Sequence, residues 1–313
     1  MRQIKEKRYK MSMIKRSLIL LAAVVCLLSA GCAKNKSSSG SESAADTSSS
    51  QAQDSSSGED SSSDPQAEQT QQGDKIKAAA KFFENEKYEY VCKVTGPYAS
   101  AKISLSKNFG ECMQVTDYGF CKSVIYCKGA DTIRYDDLTK AFVNEVGNIT
   151  TDPTGNNITE TVKKNLPPTK THIDEKDAQK YDAEEYTYTA GTYITVLDYY
   201  FDKQSGALAK YTVTYSVEGK DDEKETREIV KMSSSEVSAI DFSENQLREN
   251  YTDFNALSEA EREKFCKELL EKNGVKEEDL FQEGLTMFDL KKISYSDFSG
   301  FLIGFAARKN EKK

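Results

Sequence analysis

The chain has 313 residues, a net charge of −8, 37% hydrophobic and 30% charged side chains, no Trp and a single histidine, His172. The acidic balance excludes a basic nucleic-acid footprint. One imidazole excludes a multi-histidine metal site and most imidazole-based catalysis. Of 17 tyrosines, all but Tyr9 follow residue 73, so phenol rings must supply part of the apolar area of an otherwise thin core.

Residues 1–16 carry Arg2, Lys5, Lys7, Arg8, Lys10, Lys15 and Arg16 against one acid, Glu6, and precede the apolar run Leu18 to Leu28. That run is too short for a bilayer-spanning helix, which needs roughly 20 residues. A basic start, a short apolar stretch and small residues after it form the pattern of a secretory signal. The sequence Leu28-Ser29-Ala30-Gly31-Cys32 resembles the lipobox of bacterial lipoproteins, with Ser29 where those signals most often carry Leu. The resemblance implies cleavage after Gly31, a diacylglyceryl group on the Cys32 sulfur, and a chain anchored to the bacterial cell membrane on its extracytoplasmic side. Two acyl chains suffice for stable anchoring where one does not. Loss of residues 1–31 removes seven bases and one acid, leaving −14, so the lipid and not charge must hold the membrane.

Residues 32–73 follow Cys32 with four Ser-Ser-Ser runs, interspersed with Gln, Asp, Glu and Gly and free of any apolar residue larger than Ala. Nothing there repays the entropy of ordering, which predicts a disordered tether spanning roughly 35 Å.

Folding is expected from residue 74. Ile76, Ala79, Ala80 and Phe83 recur at helical spacing and predict a short helix. The period then changes to two, through Tyr88, Tyr90, Cys92 and Val94, then Ala101, Ile103 and Leu105, then Met113 and Val115, Phe120, Val124 and Tyr126, and Ile133 and Tyr135. These read as short antiparallel strands joined by tight turns. Residues 147–182 interrupt them with a polar loop and one expected helical turn. Strands resume at Tyr186 and Tyr188 and in the run Tyr193 to Phe201, turn at Gly206, return through Tyr211, Val213, Tyr215 and Val217, and close with Ile229, Val237, Ile240 and Phe242.

A helix followed by about ten short strands must curl. With its phrases Cys127-Lys128-Gly129-Ala130-Asp131 and Tyr199-Tyr200-Phe201-Asp202-Lys203, the segment 74–248 resembles the LolA-like and LppX/LprG-like lipoproteins. The resemblance implies an α+β fold, a strongly curved antiparallel sheet forming an unclosed half-barrel with an N-terminal helix, and a concavity that carries a lipid or another apolar ligand. Residues 249–313 are predicted to be a helical C-terminal segment: Ser258-Glu259-Ala260-Glu261 is a capping-box pattern, Gly274 a stop, Glu277 to Gln282 a short helix, and Phe298, Phe301, Leu302 and Phe305 a stripe capped by Ser296 or Ser299. Gly300 and Gly304 read as packing positions in a run too short to span a membrane.

Five cysteines remain outside signal and lipobox: Cys92, Cys112, Cys121, Cys127 and Cys266. A hairpin turning about residues 117 and 118 would make Cys112 and Cys121 diagonal neighbours, so a disulfide between them is sterically open, as are buried free thiols. No C-x-x-C pair, phosphate loop, dinucleotide glycine set or nucleophile with a base is present. His172 reads as a solvated loop residue. A protein without enzymatic activity, metal or cofactor is expected. The candidate ligand contacts are Tyr186, Tyr188, Tyr193, Tyr211 and Tyr215, since an amphipathic ring suits a cleft, although tyrosine also packs on sheets without a ligand. The expected function is a lipid-anchored extracytoplasmic binding module for an apolar or lipidic ligand. The alternative is a surface-displayed interaction or structural protein with no small-molecule ligand.

Overall fold

The structure is a computed structural model that describes residues 73–97, 99–146, 157–165, 167–171, 178–282, 285–287 and 289–311. The expected signal (1–31), Cys32, the tether up to residue 72 and His172 lie outside the described residues.

Helix α1 (Asp74–Phe82) buries Ile76 and Ala80, with Phe83 after it, as its spacing predicts. Six antiparallel strands follow: β1 (Lys87–Thr95), β2 (Ser100–Asn108), β3 (Glu111–Asp117), β4 (Lys122–Lys128), β5 (Asp131–Asp136) and β6 (Ala141–Val146). Phe109 and Gly110 close the β2–β3 hairpin with φ of 42° and 75°, the two positive values that a two-residue turn needs to match strand twist. Helix α2 (Ile158–Lys163) precedes a second antiparallel run, β7 (Tyr181–Ala190), β8 (Tyr193–Asp202), β9 (Leu208–Val217) and β10 (Glu223–Ser233).

The break in the middle of the sequence is a crossover. After β6 the chain passes to the far edge at β7 and returns strand by strand until β10 pairs antiparallel with β1. A two-residue strand β11 (Thr252–Asp253) joins β6 in parallel, which completes the order β11-β6-β5-β4-β3-β2-β1-β10-β9-β8-β7. The result is an α+β architecture on an open, mostly antiparallel sheet of 11 strands.

Strand register defines two faces. One carries Tyr90, Cys92 and Val94 and, across successive pairings, Ile103, Gln114, Ile125 and Arg134 on one side and Arg227, Tyr211, Leu197 and Tyr186 on the other. At the β7–β9 end and over β1 this face packs against α1 and α2 in a core of Ile76, Phe83, Ile158, Tyr186 and Tyr199. At the β6 end it packs against the C-terminal helices in a second core of Ala141, Val143, Phe254, Leu269 and Phe298. The opposite face of β4–β6, with Tyr126, Ile133 and Phe142, is covered by Leu247, Ile240 and Phe242.

That third core corrects one expectation. Val237, Ile240 and Phe242 do not form a strand; residues 234–243 have no regular structure, and Phe242 stacks on Tyr126 at 3.9 Å and 14°. Their alternation is that of a strap laid on the outer face. Several elements escaped the sequence pattern, among them β6, β11 and α3 (Glu244–Asn250), the last capped by Ser243 accepting from the Gln246 N–H.

The C-terminal helices form as read. α4 (Glu259–Asn273) has the Ser258 and Glu261 capping box and ends at Gly274 in the left-handed region with φ 71°. α5 (Glu277–Gln282), a short 3₁₀ turn (Asp289–Lys291) and α6 (Tyr295–Glu311) complete the chain. Ser294, and not Ser296 or Ser299, caps α6: its hydroxyl donates to Asp297 and accepts from the Asp297 N–H. Among the described residues no helix is long and apolar enough to cross a membrane.

Candidate functional site

Between the two inner cores the sheet face changes character. Inward positions here include Gln114 and Thr116 of β3, Arg134 and Asp136 of β5, and Glu225 and Arg227 of β10; all are less than a tenth exposed. α6 lies over this stripe, and a cavity of about 130 Å³ remains between them. Its floor is built from Val94, Ala101, Ile103 and Ile125 with Arg134 and Arg227, and its roof is the Tyr295, Ser299, Gly300, Ile303 and Gly304 side of α6. Gly300 borders this open space, and a Cβ there would meet no atom within 4 Å.

The polar wall is internally matched. Arg227 Nε donates to Glu225 Oε1 at 2.6 Å and Arg227 Nη1 to the Tyr211 hydroxyl oxygen at 3.1 Å. Arg134 Nε donates to Glu145 Oε2 at 3.1 Å. Gln114 Nε2 donates to Thr116 Oγ1 at 3.2 Å. Each guanidinium therefore faces a carboxylate, and the cavity presents fixed dipoles with no net excess of charge from these pairs. Ser299, on the roof, donates to Asp136 Oδ2 at 2.8 Å, so its hydroxyl positions α6.

The five tyrosines separate. All five share the inner-face parity, but only Tyr215 lines the cavity, where burial and the nearby Glu225 push its hydroxyl up to about 12. Tyr186 and Tyr211 are within the core under α1 and α2, at 1% and 0% exposure. Tyr188 donates its hydroxyl to Thr161 Oγ1 of α2 at 2.6 Å. Tyr193, at the start of β8, is 40% exposed and away from the cavity.

No disulfide joins Cys92, Cys112, Cys121, Cys127 and Cys266, all of which are buried. The connection of β3 to β4 has four residues, 118–121, so Asp117 pairs with Lys122 and Cys112 with Cys127. Cys121 sits inside this turn, its carbonyl accepting from the Tyr118 N–H, and the diagonal approach to Cys112 expected from a tighter turn does not occur. Among the described residues no group of three or more His, Cys, Asp or Glu side chains could hold a metal ion.

Arg134, Glu225, Arg227 and Asp136 were not read from the sequence, and Gly300, read there as a packing position, faces open space instead. In β5 the apolar Ile133 and Tyr135 suggested the core-facing parity, but they belong to the opposite face. The signal was a polar residue repeated at the inward parity of neighbouring strands, legible only once register is known.

No family model and no curated protein sequence matches this chain. Among solved structures, that of MucB is similar with 10% identity and a TM-score of 0.27, over 57% of this chain and 62% of that one. The chain thus spans less than two thirds of that structure's length, and likeness at this level carries no inference about activity.

Proposed function

We propose that this protein is a lipid-anchored extracytoplasmic binding module, a half-barrel of the LolA-like kind whose cavity under α6 takes an apolar or lipidic group. The cavity carries the reading: an apolar floor, a roof that includes Gly300, and two buried arginines held in place by carboxylates. Pockets with apolar walls and a few fixed polar groups are the usual form of small-molecule sites. The volume, about 130 Å³, sets the scale. It is close to the ~150 Å³ cavities that hold a benzene-sized guest and below the ~300–1,000 Å³ of drug-sized ligands. The resting cavity therefore suits one stretch of acyl chain. The Leu28-Ser29-Ala30-Gly31-Cys32 sequence supports the anchor, with the tether holding the module clear of the membrane. Nothing in this reading requires catalysis.

The test is direct. The full chain is purified, extracted with organic solvent for lipid analysis, and titrated with a fluorescent fatty-acid analogue; neither a copurifying lipid nor uptake of the analogue would end the reading. Cys32→Ala should release the protein from the membrane fraction. The second reading, a surface-displayed interaction protein with no small-molecule ligand, is favoured by the extent to which the protein's own helices and aromatic rings fill the inner face. It predicts that narrowing the cavity changes nothing in lipid uptake.

A further inference from the structure

In the β3–β4 hairpin, inward positions run Cys112, Gln114, Thr116 on one strand and Ser123, Ile125, Cys127 on the other, and the register sets Cys112 directly opposite Cys127. Directly opposed residues of an antiparallel pair have Cα atoms about 4.5–5.5 Å apart, inside the ~4.4–6.8 Å window that a disulfide requires. Both side chains point to the same face, since successive side chains alternate. Both are 4% exposed and belong to the core beneath α1. We propose that Cys112 and Cys127 are a disulfide-forming pair, an oxidative modification site that ties β3 to β4 beside the cavity floor.

The local chemistry fits. The thiol of Cys127 sits below its ordinary pKa because Cys112 donates a hydrogen bond to its sulfur, while burial pushes the Cys121 and Cys266 thiols up to about 12. The Cys112–Cys127 hydrogen bond is made within the hairpin itself, so once β3 and β4 pair, Cys127 is the first of the two sulfurs to attack. Its thiolate attacks one sulfur of a small-molecule or protein disulfide, forming a mixed disulfide and expelling one thiolate. Cys112, deprotonated in turn, attacks the Cys127 sulfur and expels the second thiolate. Two cysteine thiols are oxidised, one external disulfide is reduced to two thiols, and no other reactant is needed. Burial in the finished fold places the step while the hairpin forms and before α1 docks over it. Cys92, Cys121 and Cys266 stay as thiols. The inference is independent of what the cavity binds, but its consequence falls there: Gln114, Thr116, Ser123 and Ile125, held between the tie and the turn, all line the cavity.

The full chain, reduced and unfolded, is refolded in a mixture of oxidised and reduced glutathione, blocked with N-ethylmaleimide and cut with trypsin. Cleavage after Lys107, Lys122 and Lys128 places Cys112 and Cys121 in one peptide and Cys127 in the next. The expected mass map joins these two peptides, in the natural sequence and equally in Cys121→Ser, and the tied chain melts at a higher temperature than one refolded in reduced glutathione alone. The same map on chain isolated without reduction avoids dependence on refolding. Maleimide on both Cys112 and Cys127 in each preparation, or Cys127 joined to any cysteine other than Cys112, overturns the proposal.

Discussion

Tyr295 donates its hydroxyl to Asp136 Oδ2 at 2.5 Å, across 159 residues of sequence. Asp136 is fully buried at the end of β5 and also accepts from the Leu138 and Thr139 N–H groups, the Thr139 hydroxyl and Ser299. One carboxylate therefore closes the β5–β6 turn and fixes the start of α6, the roof of the cavity, to the sheet. A buried charge with this many donors is tolerable; the same donors without the charge are orphaned. Asp136→Ala orphans several buried donors, each at about 1–3 kcal/mol, and Tyr295→Phe should cost about 1.5–3 kcal/mol, as expected for a hydrogen bond to a charged group. Hydrogen exchange should show α6 amides deprotected in Tyr295→Phe while β1 and β10 are unchanged; uniform deprotection would deny the anchor its local role.

Gly300 separates stability from ligand uptake. Because no atom lies within 4 Å of a Cβ at this position, Gly300→Ala should fit and, by restricting the unfolded backbone, raise stability by about 1 kcal/mol. Gly300→Leu places a branched side chain into a cavity of about 130 Å³. Uptake of the fluorescent fatty-acid analogue should fall at least tenfold while the melting temperature stays near that of the natural chain. Unchanged uptake in a folded Gly300→Leu protein would favour the interaction-protein reading.

Glu184 gives the fold a pH dependence of definite sign. It is 2% exposed on β7 and accepts from the Tyr186 hydroxyl at 2.9 Å and from backbone N–H groups at the start of α1. Burial raises its pKa from 4.5 to about 7 against the opposing effect of those donors and of Lys75. The folded state thus holds this proton more tightly than the unfolded state. The cost of ionising it is absent below pH 4.5, grows through pH 7 and is complete above, reaching about 3 kcal/mol. Glu184→Gln should flatten that part of the stability curve. Parallel urea-denaturation profiles for the two proteins between pH 5 and 8 would refute it.

The limits of the sequence reading follow from where information resides in the chain. The α1 stripe, the capping box at Ser258, the Gly274 stop and the Gly206 turn are local, and each forms as expected, Gly206 with φ 71°. Register is not local. Two extra residues in the 118–121 turn moved the partner of Cys112 to Cys127, and a bulge between Val91 and Cys92 sets how β10 meets β1. The Asp136–Tyr295 anchor joins a turn acid to a helix start that share no pattern at all. Tyr186, Tyr188, Tyr211 and Tyr215 share one face by alternation, but α1 and α2 cover three of them, a tertiary fact that strand periodicity does not contain.

The ion pair on the cavity wall provides a final measurement. Arg227 and Glu225 have side chains 8% and 9% exposed, and Tyr211 accepts a second guanidinium bond. Removing one charge strands the other in a low-dielectric site, so Arg227→Met and Glu225→Leu should each destabilise by about 3–5 kcal/mol. Replacing both with apolar residues removes the stranded charge along with the attraction, and such exchanges are often near neutral. The double variant Glu225→Leu, Arg227→Met should therefore lose less than either single variant, so that a denaturation cycle shows a coupling of several kcal/mol. Additive losses would mean that water reaches the pair and that the wall is wetter than its burial indicates. If the pair is retained to orient Arg227 toward a bound group, the double variant keeps its fold and loses uptake of the fatty-acid analogue, a combination that a purely structural ion pair would not produce.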